Sequence, residues 1–285
     1  MIDLHTHSTA SDGTDRPAEL IAKAHAVGVD VLAITDHDTT AGWAEATSAL
    51  PPGMTLVPGT ELSCVYTGDA RPISLHLLGY LFDPNHPGLR AERSRLRASR
   101  LGRGRAIVDN LIRDGVPVTW SRVSELANGG PVGRPHIGRT LVENGVVDTI
   151  DEAFAELLNA TSKYYVAKSD TDVFQAIALL RAAGGLPVFA HPLARRRGRV
   201  VGDEAIAALA DAGLVGIEVD HPDHAAEDRA HLRGLAAELG LVGTGSSDYH
   251  GANKATPLAA CTTDPAAYQA LIAGNTARAP IVQEA

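Results

Sequence analysis

Apolar residues along this 285-residue chain fall into two patterns. In "RPAELIAKAHAVG", Leu20, Ile21, Ala24 and Val27 recur at helical spacing, behind a capping pair, Thr14 and Asp15, and an early Pro17, with Gly28 as the stop. Directly after it, "VDVLAITDHDT" is a short unbroken apolar run of the kind a buried strand shows. With the opening "MIDL" these segments make a β-α-β unit. "MTLVPGTELSCV" and "ISLHLLGYLF" supply two further strands. From residue 171 the alternation is regular: "TDVFQAIALLRAAG" (helix), "LPVFAHP" (strand), "DEAIAALADAG" (helix), "LVGIEVDHP" (strand), "AAEDRAHLRGLAAELG" (helix) and "LVGTGSSDYHG" (strand). Strands and helices in turn predict an α/β fold built on a parallel sheet, closed or open.

Residues 85–168 break that rhythm. They hold an arginine-rich helical pattern, "GLRAERSRLRASRLGRGRAIVDNLIRDG", then "WSRVSELANGG", "GRPHIGRTLVENG" and "DEAFAELLNA", with strand character returning only at "KYYV". The expected organisation is therefore a barrel in two parts, residues 1–84 and 169–285, around an inserted helical subdomain, residues 85–168.

Composition narrows the class. With 45% hydrophobic residues the chain can bury one large core. It shows no basic leader and no uncharged run near the ~20 residues a membrane span needs, so a soluble, cytoplasmic protein with no membrane partner is expected. Two cysteines, Cys64 and Cys261, give neither a disulfide framework nor a thiolate zinc site, so any metal is held by nitrogen and oxygen. A net charge of −9 argues against electrostatic coating of nucleic acid.

The 12 histidines carry more information. His25 and His231 lie in helical patterns and His86 in a loop, where exposure or an ordinary hydrogen bond accounts for them. Most others end strands: His5 and His7, then His37 in "ITDHDT", Glu61 in "GTELS", His76 in "SLHLLGY", His191 in "FAHP", and Asp248 with His250 in "SSDYH". One such residue is ordinary. A whole set is not, because gathered imidazoles and carboxylates are costly without a cation. In a parallel barrel the strand ends converge on one face, where active sites are built. Imidazole mixed with carboxylate suits Zn²⁺, Mn²⁺ or Fe²⁺.

Taken in order, "DLHTHSTASDGT", "ITDHDT", "GTELS", "HLLGY", "AHP" and "GSSDYHG" resemble the motifs of the PHP (polymerase and histidinol phosphatase) family, across both barrel parts. The resemblance implies a distorted (β/α)7 barrel with three divalent metal ions that hydrolyses phosphate esters. By position, it implies His5, His7, Glu61 and Asp248 on a first metal, and bridging Glu61 with His76 and His191 on a second. Asp12, His37 and His250 would hold a third, and some relatives have histidine where this chain has Asp12. Asp36 and Asp38 either orient imidazoles from behind or make simple turn hydrogen bonds.

"VGRPHIGRTLV", followed by "SKYYV", resembles a subgroup whose helical insertion carries "GRPH" and which acts on nucleoside 3′,5′-bisphosphates or short RNA 5′ ends. Arg134 suits bidentate phosphate binding and His136 hydrogen-bond or proton donation, although the same letters describe a helix start with proline in its first turn. "ARRRGR", just after His191, offers Arg195 to Arg197, with Arg196 at its centre, to a second phosphate or a nucleotide backbone. The arginines between Leu89 and Arg105 read instead as a solvated helix face with i,i+4 partners. In "EVDHPDH", His224 is a substrate contact or a loop histidine without a chemical role. His191, His224 and Asp248 form the catalytic set, with His191, His224 and His136 eligible as general acid. The expected activity is removal of phosphate from nucleoside 3′,5′-bisphosphates, with 5′-3′ trimming of short RNA or DNA ends. Histidinol phosphatase, a cyclic phosphate diesterase and a non-catalytic metal-binding accessory module are the alternatives.

Overall fold

The computed structural model describes residues 1–159, 161–167 and 169–283. Its strands are β1 (Ile2–Asp3), β2 (Val31–Ile34), β3 (Thr55–Tyr66), β4 (Ile73–Tyr80), β5 (Thr171–Asp172), β6 (Leu186–Phe189), β7 (Gly216–Asp220), β8 (Val242–Gly245) and β9 (Ile281–Val282). They pair in the order β1-β2-β3-β4-β6-β7-β8, with β5 and β9 added along β3. A parallel bridge between Thr6 and Tyr249 joins the two ends of that path. That bridge nearly closes the seven-stranded barrel that the resemblance implies. Leu4, Val57, Leu78, Tyr80, Val188 and Ala190 are buried together in one cluster of its core.

Helices α1 (Pro17–Ala26), α2 (Trp43–Ser48), α7 (Val173–Ala182), α8 (Asp203–Asp211), α9 (Ala226–Leu239) and α10 (Pro265–Ala273) belong to the barrel part of the chain. The cap of α1 is not the expected Thr14 and Asp15. Arg16 takes that position, and Glu19 accepts a hydrogen bond from its backbone N–H at 2.9 Å. Between β4 and β5 lie α3 (Pro87–Arg113), α4 (Trp120–Ala127), α5 (Arg134–Glu143) and α6 (Ile150–Glu156). Ile107, Leu111, Val123, Ile137, Leu141 and Leu158 give these helices an apolar core of their own. The 27-residue α3 spans both regions: Leu89 and Leu96 pack with the barrel helices, and Ile107 onward with the insertion. "KYYV" is not a strand; Tyr164 turns into the helical core instead.

The sheet is not uniformly parallel, contrary to the alternation argument. β4 runs antiparallel to both β3 and β6. The reason is the length of the link: residues 67–72 join β3 to β4, whereas a parallel crossover needs about a dozen residues or more. Glu61 stands opposite Leu78, and Ser63 opposite His76. Glu61 and His76 are therefore diagonal neighbours on one sheet face. Neither residue ends its strand. Both lie within a hairpin whose register does what strand ends do elsewhere on the rim.

Candidate metal centre

His5 and His7 follow β1, fully buried, with their Nε2 atoms 3.0 Å apart. Glu61 lies at the middle of the group. Its Oε2 is 3.3 Å from His5 Nε2, 3.1 Å from His7 Nε2 and 3.1 Å from His37 Nδ1. Its Oε1 is 2.7 Å from His76 Nδ1 and 3.0 Å from His191 Nε2. Asp248 Oδ1 lies 3.4 Å from both His5 Nε2 and His7 Nε2. Asp12 faces His37 at 3.7 Å and His250 at 3.5 Å. The fold thus brings His5, His7, Asp12, His37, Glu61, His76, His191, Asp248 and His250 into one cluster.

Three sets of donors lie close enough to share a cation: His7, Asp12, His37 and His250; His5, His7 and Glu61; and His37, Glu61 and His76. His37 Nδ1, His76 Nδ1 and Asp248 Oδ1 are buried without a hydrogen-bond partner among the described residues. Unpaired lone pairs are what a cation satisfies, and an all-nitrogen and oxygen donor set fits a divalent ion. Burial alone raises a carboxylic acid, yet the imidazoles of His37, His76 and His5 outweigh it and hold Glu61 well below its usual range. Burial, helped by the Arg197 charge, pushes His191 down to about 3 and keeps it in the neutral, ligating form. His191 and Asp248 take φ values of 33° and 52°, left-handed backbone that non-glycine residues adopt at a cost.

Behind the donors stands Glu218, in the middle of β7 and overlooked in the sequence. It is fully buried, accepts from His5 Nδ1 at 3.0 Å and from the His191 backbone N–H at 2.7 Å, and bonds Ser246 Oγ. Its signal was a lone acid within an apolar strand. Among the described residues, neither Asp36 nor Asp38 hydrogen-bonds an imidazole. Asp36 accepts from the Ser8 backbone N–H at 2.8 Å and the Ser8 hydroxyl at 2.7 Å, and also from Ser11 Oγ. Asp38 accepts from the Ser63 N–H and from Arg100 Nε. Neither a local turn nor direct imidazole orientation describes them: both carboxylates tie together segments far apart in sequence, Asp36 to the Ser8–Ser11 loop and Asp38 to β3 and α3.

His224 has both ring nitrogens committed to the backbone: Nδ1 to the Val219 carbonyl at 2.9 Å, and Nε2 accepting from the Leu193 N–H at 3.2 Å. It ties two loops together and leaves no ring nitrogen for a substrate. Arg196 points into solvent, while its neighbour Arg197 reaches Asp248 Oδ2 at 2.6 Å. Lys254 meets the same oxygen at 2.7 Å. His136 Nδ1 accepts from the Gly133 N–H at 3.0 Å, and the ring also bonds the Ser11 backbone, linking the start of α5 to the Asp12 loop. Arg134 donates to the Leu158 carbonyl at 2.7 Å, with its guanidinium 5.1 Å from the centre of the Phe154 ring.

The arginines of α3 are only partly the solvated face expected. Arg95 pairs with Glu92 and Arg105 with Asp109 at helix spacing. Arg93, however, is only 4% exposed and donates to Thr40 Oγ1, and Arg100 reaches Asp38 and Ser63 beside the donor cluster. His86 caps α3, accepting from Leu89 N–H, while His25 is exposed and His231 pairs with Asp203 at the surface.

A nearly closed α/β barrel with clustered imidazoles and carboxylates at one rim defines a metal-binding hydrolase architecture. Residues 3–92 match the family model described as PHP domain. The chain is 36% identical to a 5′-3′ exoribonuclease of Haemophilus influenzae over 252 residues, covering 87% of this chain and 89% of that protein. It is 32% identical to a 3′,5′-nucleoside bisphosphate phosphatase of Chromobacterium violaceum over 251 residues, covering 87% of each. A solved structure from Bifidobacterium adolescentis, described as that of a metal-dependent phosphoesterase, superposes with a TM-score of 0.90 at 36% identity, covering 96% of both chains. The chain belongs to the PHP family, and it is a metal-binding hydrolase of phosphate esters. Among the described residues, no helix is long and apolar enough to cross a membrane.

Proposed function

We propose that the protein removes a phosphate from nucleoside 3′,5′-bisphosphates, converting adenosine 3′,5′-bisphosphate to AMP, and trims short 5′-phosphorylated oligonucleotides from the 5′ end. Three divalent ions, Mn²⁺, Fe²⁺ or Zn²⁺, serve the reaction. His5, His7, Glu61 and Asp248 hold the first, Glu61, His76 and His191 the second, and Asp12, His37 and His250 the third. Such ions neutralise charge on phosphoryl oxygens and lower the pKa of water toward neutrality. Glu218 fixes the ring of His5 and the backbone of His191, and Arg197 and Lys254 keep Asp248 ionised, well below the usual range although burial opposes it.

The observation that carries the nucleotide reading is a second positive site beside the donor cluster. Arg100, Arg103 and Arg134 converge there from α3 and the start of α5. Burial first, and then the neighbouring charge of Arg103, pushes Arg134 down to about 10. Arg103 is likewise lowered by burial, and its Nη2 is buried without a hydrogen-bond partner among the described residues. Burial is the main cause of the lowering at Arg103 and Arg134, and Arg100, against the same burial, is held up by Asp38 and Asp12; a doubly charged phosphate would compensate the buried charge of the first two. A substrate with one phosphate at the metals and another at these arginines uses both sites; histidinol phosphate uses only the first.

A turnover panel with Mn²⁺ supplied tests this reading, comparing adenosine 3′,5′-bisphosphate, AMP, histidinol phosphate, a ribose cyclic phosphate and a short 5′-phosphorylated RNA. The bisphosphate is expected to turn over fastest, with the RNA next. Faster turnover of histidinol phosphate or of the cyclic ester would overturn it, and no turnover of any would restore the accessory-module alternative.

A further inference from the structure

Only 4% of the chain is aromatic, and most large apolar side chains are buried. Tyr165 is an exception, 41% exposed, in the segment that returns from the insertion toward the barrel. Its neighbours anchor it: Tyr164 is buried in the helical core and Val166 packs against the same cluster. The Val166 carbonyl accepts from Arg103 Nε at 2.7 Å, and the guanidinium lies over the Tyr165 ring with Cζ 5.5 Å from its centre. The backbone on either side is thus fixed, and one face of the ring is covered by a cation.

That ring borders the positive site. The tyrosine acts electrostatically on both Arg103 and Arg134, and Arg103 and Arg134 both feel Arg100, which bonds Asp38 and feels the charge of Asp12. Arg103, over the Tyr165 ring, and Arg100, bonded to Asp38 and Ser63 beside the donors, lie one helical turn apart on α3, which places the ring next to the metal centre. A ring left 41% exposed forgoes part of the ~1.5–3 kcal/mol that fully burying a large apolar side chain contributes. A planar heterocycle is the ligand that an anchored, arginine-backed ring beside a phosphate site fits.

We propose that Tyr165 is the stacking platform for the nucleobase of the substrate, a specificity-determining contact that rests on the nucleotide reading above. Stacking on one ring tolerates every base, because each has a π face. The platform selects nucleotides over sugar phosphates without selecting a sequence.

The test compares AMP with ribose 5-phosphate, which differ by the base alone, by calorimetric titration of the wild-type protein and of Tyr165→Ala and Tyr165→Phe. Wild type and Tyr165→Phe are expected to bind AMP more tightly than ribose 5-phosphate. Tyr165→Ala is expected to lose about 5- to 150-fold for AMP, the range for removing one base–aromatic stack, and nothing for ribose 5-phosphate. In turnover of adenosine 3′,5′-bisphosphate the loss falls on KM, with kcat retained. AMP affinity unchanged in Tyr165→Ala, or an equal loss for both ligands, overturns the platform while leaving the nucleotide reading intact. Wild-type protein that binds neither ligand overturns the phosphate site and the platform with it. Because the side chain is exposed, thermal melting of Tyr165→Ala should match wild type.

Discussion

Replacing Glu218 by glutamine changes one oxygen to an NH₂ group and keeps the shape. The carboxylate meets three groups: His5 Nδ1 at 3.0 Å and Ser246 Oγ on Oε1, and the His191 backbone N–H at 2.7 Å on Oε2. An amide has one accepting oxygen, so either His5 or His191 must face a donor. Nothing solvates the loser, because Glu218 is fully buried. A lost hydrogen bond to a charged group costs about 1.5–3 kcal/mol. Both candidates for that loss are proposed metal donors. Removing such an orienting partner lowers metal affinity by about 10–100-fold, which corresponds to about 1.4–2.8 kcal/mol. The two routes agree. Titration of metal-free Glu218→Gln with Mn²⁺ or Zn²⁺ against a competing chelator should show that loss. Wild-type affinity in the variant would refute the claim that Glu218 orients the donors.

Glu61→Ala should lose bound metal and nearly all turnover together, while His25→Ala, on the exposed side of α1, keeps both; unchanged metal content of Glu61→Ala by elemental analysis would sink its bridging assignment. Arg134→Ala should retain metal and lose turnover of adenosine 3′,5′-bisphosphate, because an unpaired buried phosphate contact costs about 2–5 kcal/mol. Arg196→Ala should stay within about twofold of wild type on the same substrate, and normal kinetics for Arg134→Ala would leave "GRPH" as a helix start only. Gly245→Ala should destabilise the fold by about 1–3 kcal/mol, since its Cβ would fall 2.3 Å from the Thr262 carbonyl oxygen, a backbone atom. A melting temperature equal to wild type would contradict that steric argument.

The β/α alternation and the gathering of histidines and carboxylates into one cluster were legible because each rests on local pattern: apolar runs of strand or helix length, and histidines close to where most of those runs end. Strand direction was not, since an apolar run reads the same whether its strand is parallel or reversed. The short link at residues 67–72 held the information, and it turns β3 and β4 into a hairpin. Glu218 was hidden by its context, as "GIEV" carries strong strand character and the histidines that follow it draw the chemistry. Arg196 and Arg197 could not be told apart for a different reason. In the short 3₁₀ turn at Arg195–Arg197, successive side chains diverge by about 120°, so adjacent arginines face different partners. Helical period likewise separates faces on α3 without saying which face the barrel covers, and Arg93 and Arg100 were read with the solvated ones.

Two structural links make the insertion part of the metal centre rather than an appendage. The His136 ring bonds both Gly133, at the start of α5, and the backbone of Ser11, next to Asp12. Arg100 from α3 bonds Asp38, next to His37, and Ser63, two residues beyond Glu61. Asp12 and His37 belong to one candidate donor set, with His7 and His250. That set therefore sits between barrel loops on one side and insertion helices on the other. Glu61 with His5 and His7 draws its support from the barrel, through Glu218 and Ser246. The arginines proposed to meet a second phosphate are carried on the same insertion helices, so on that reading substrate recognition and the geometry around Asp12 are coupled through α3 and α5.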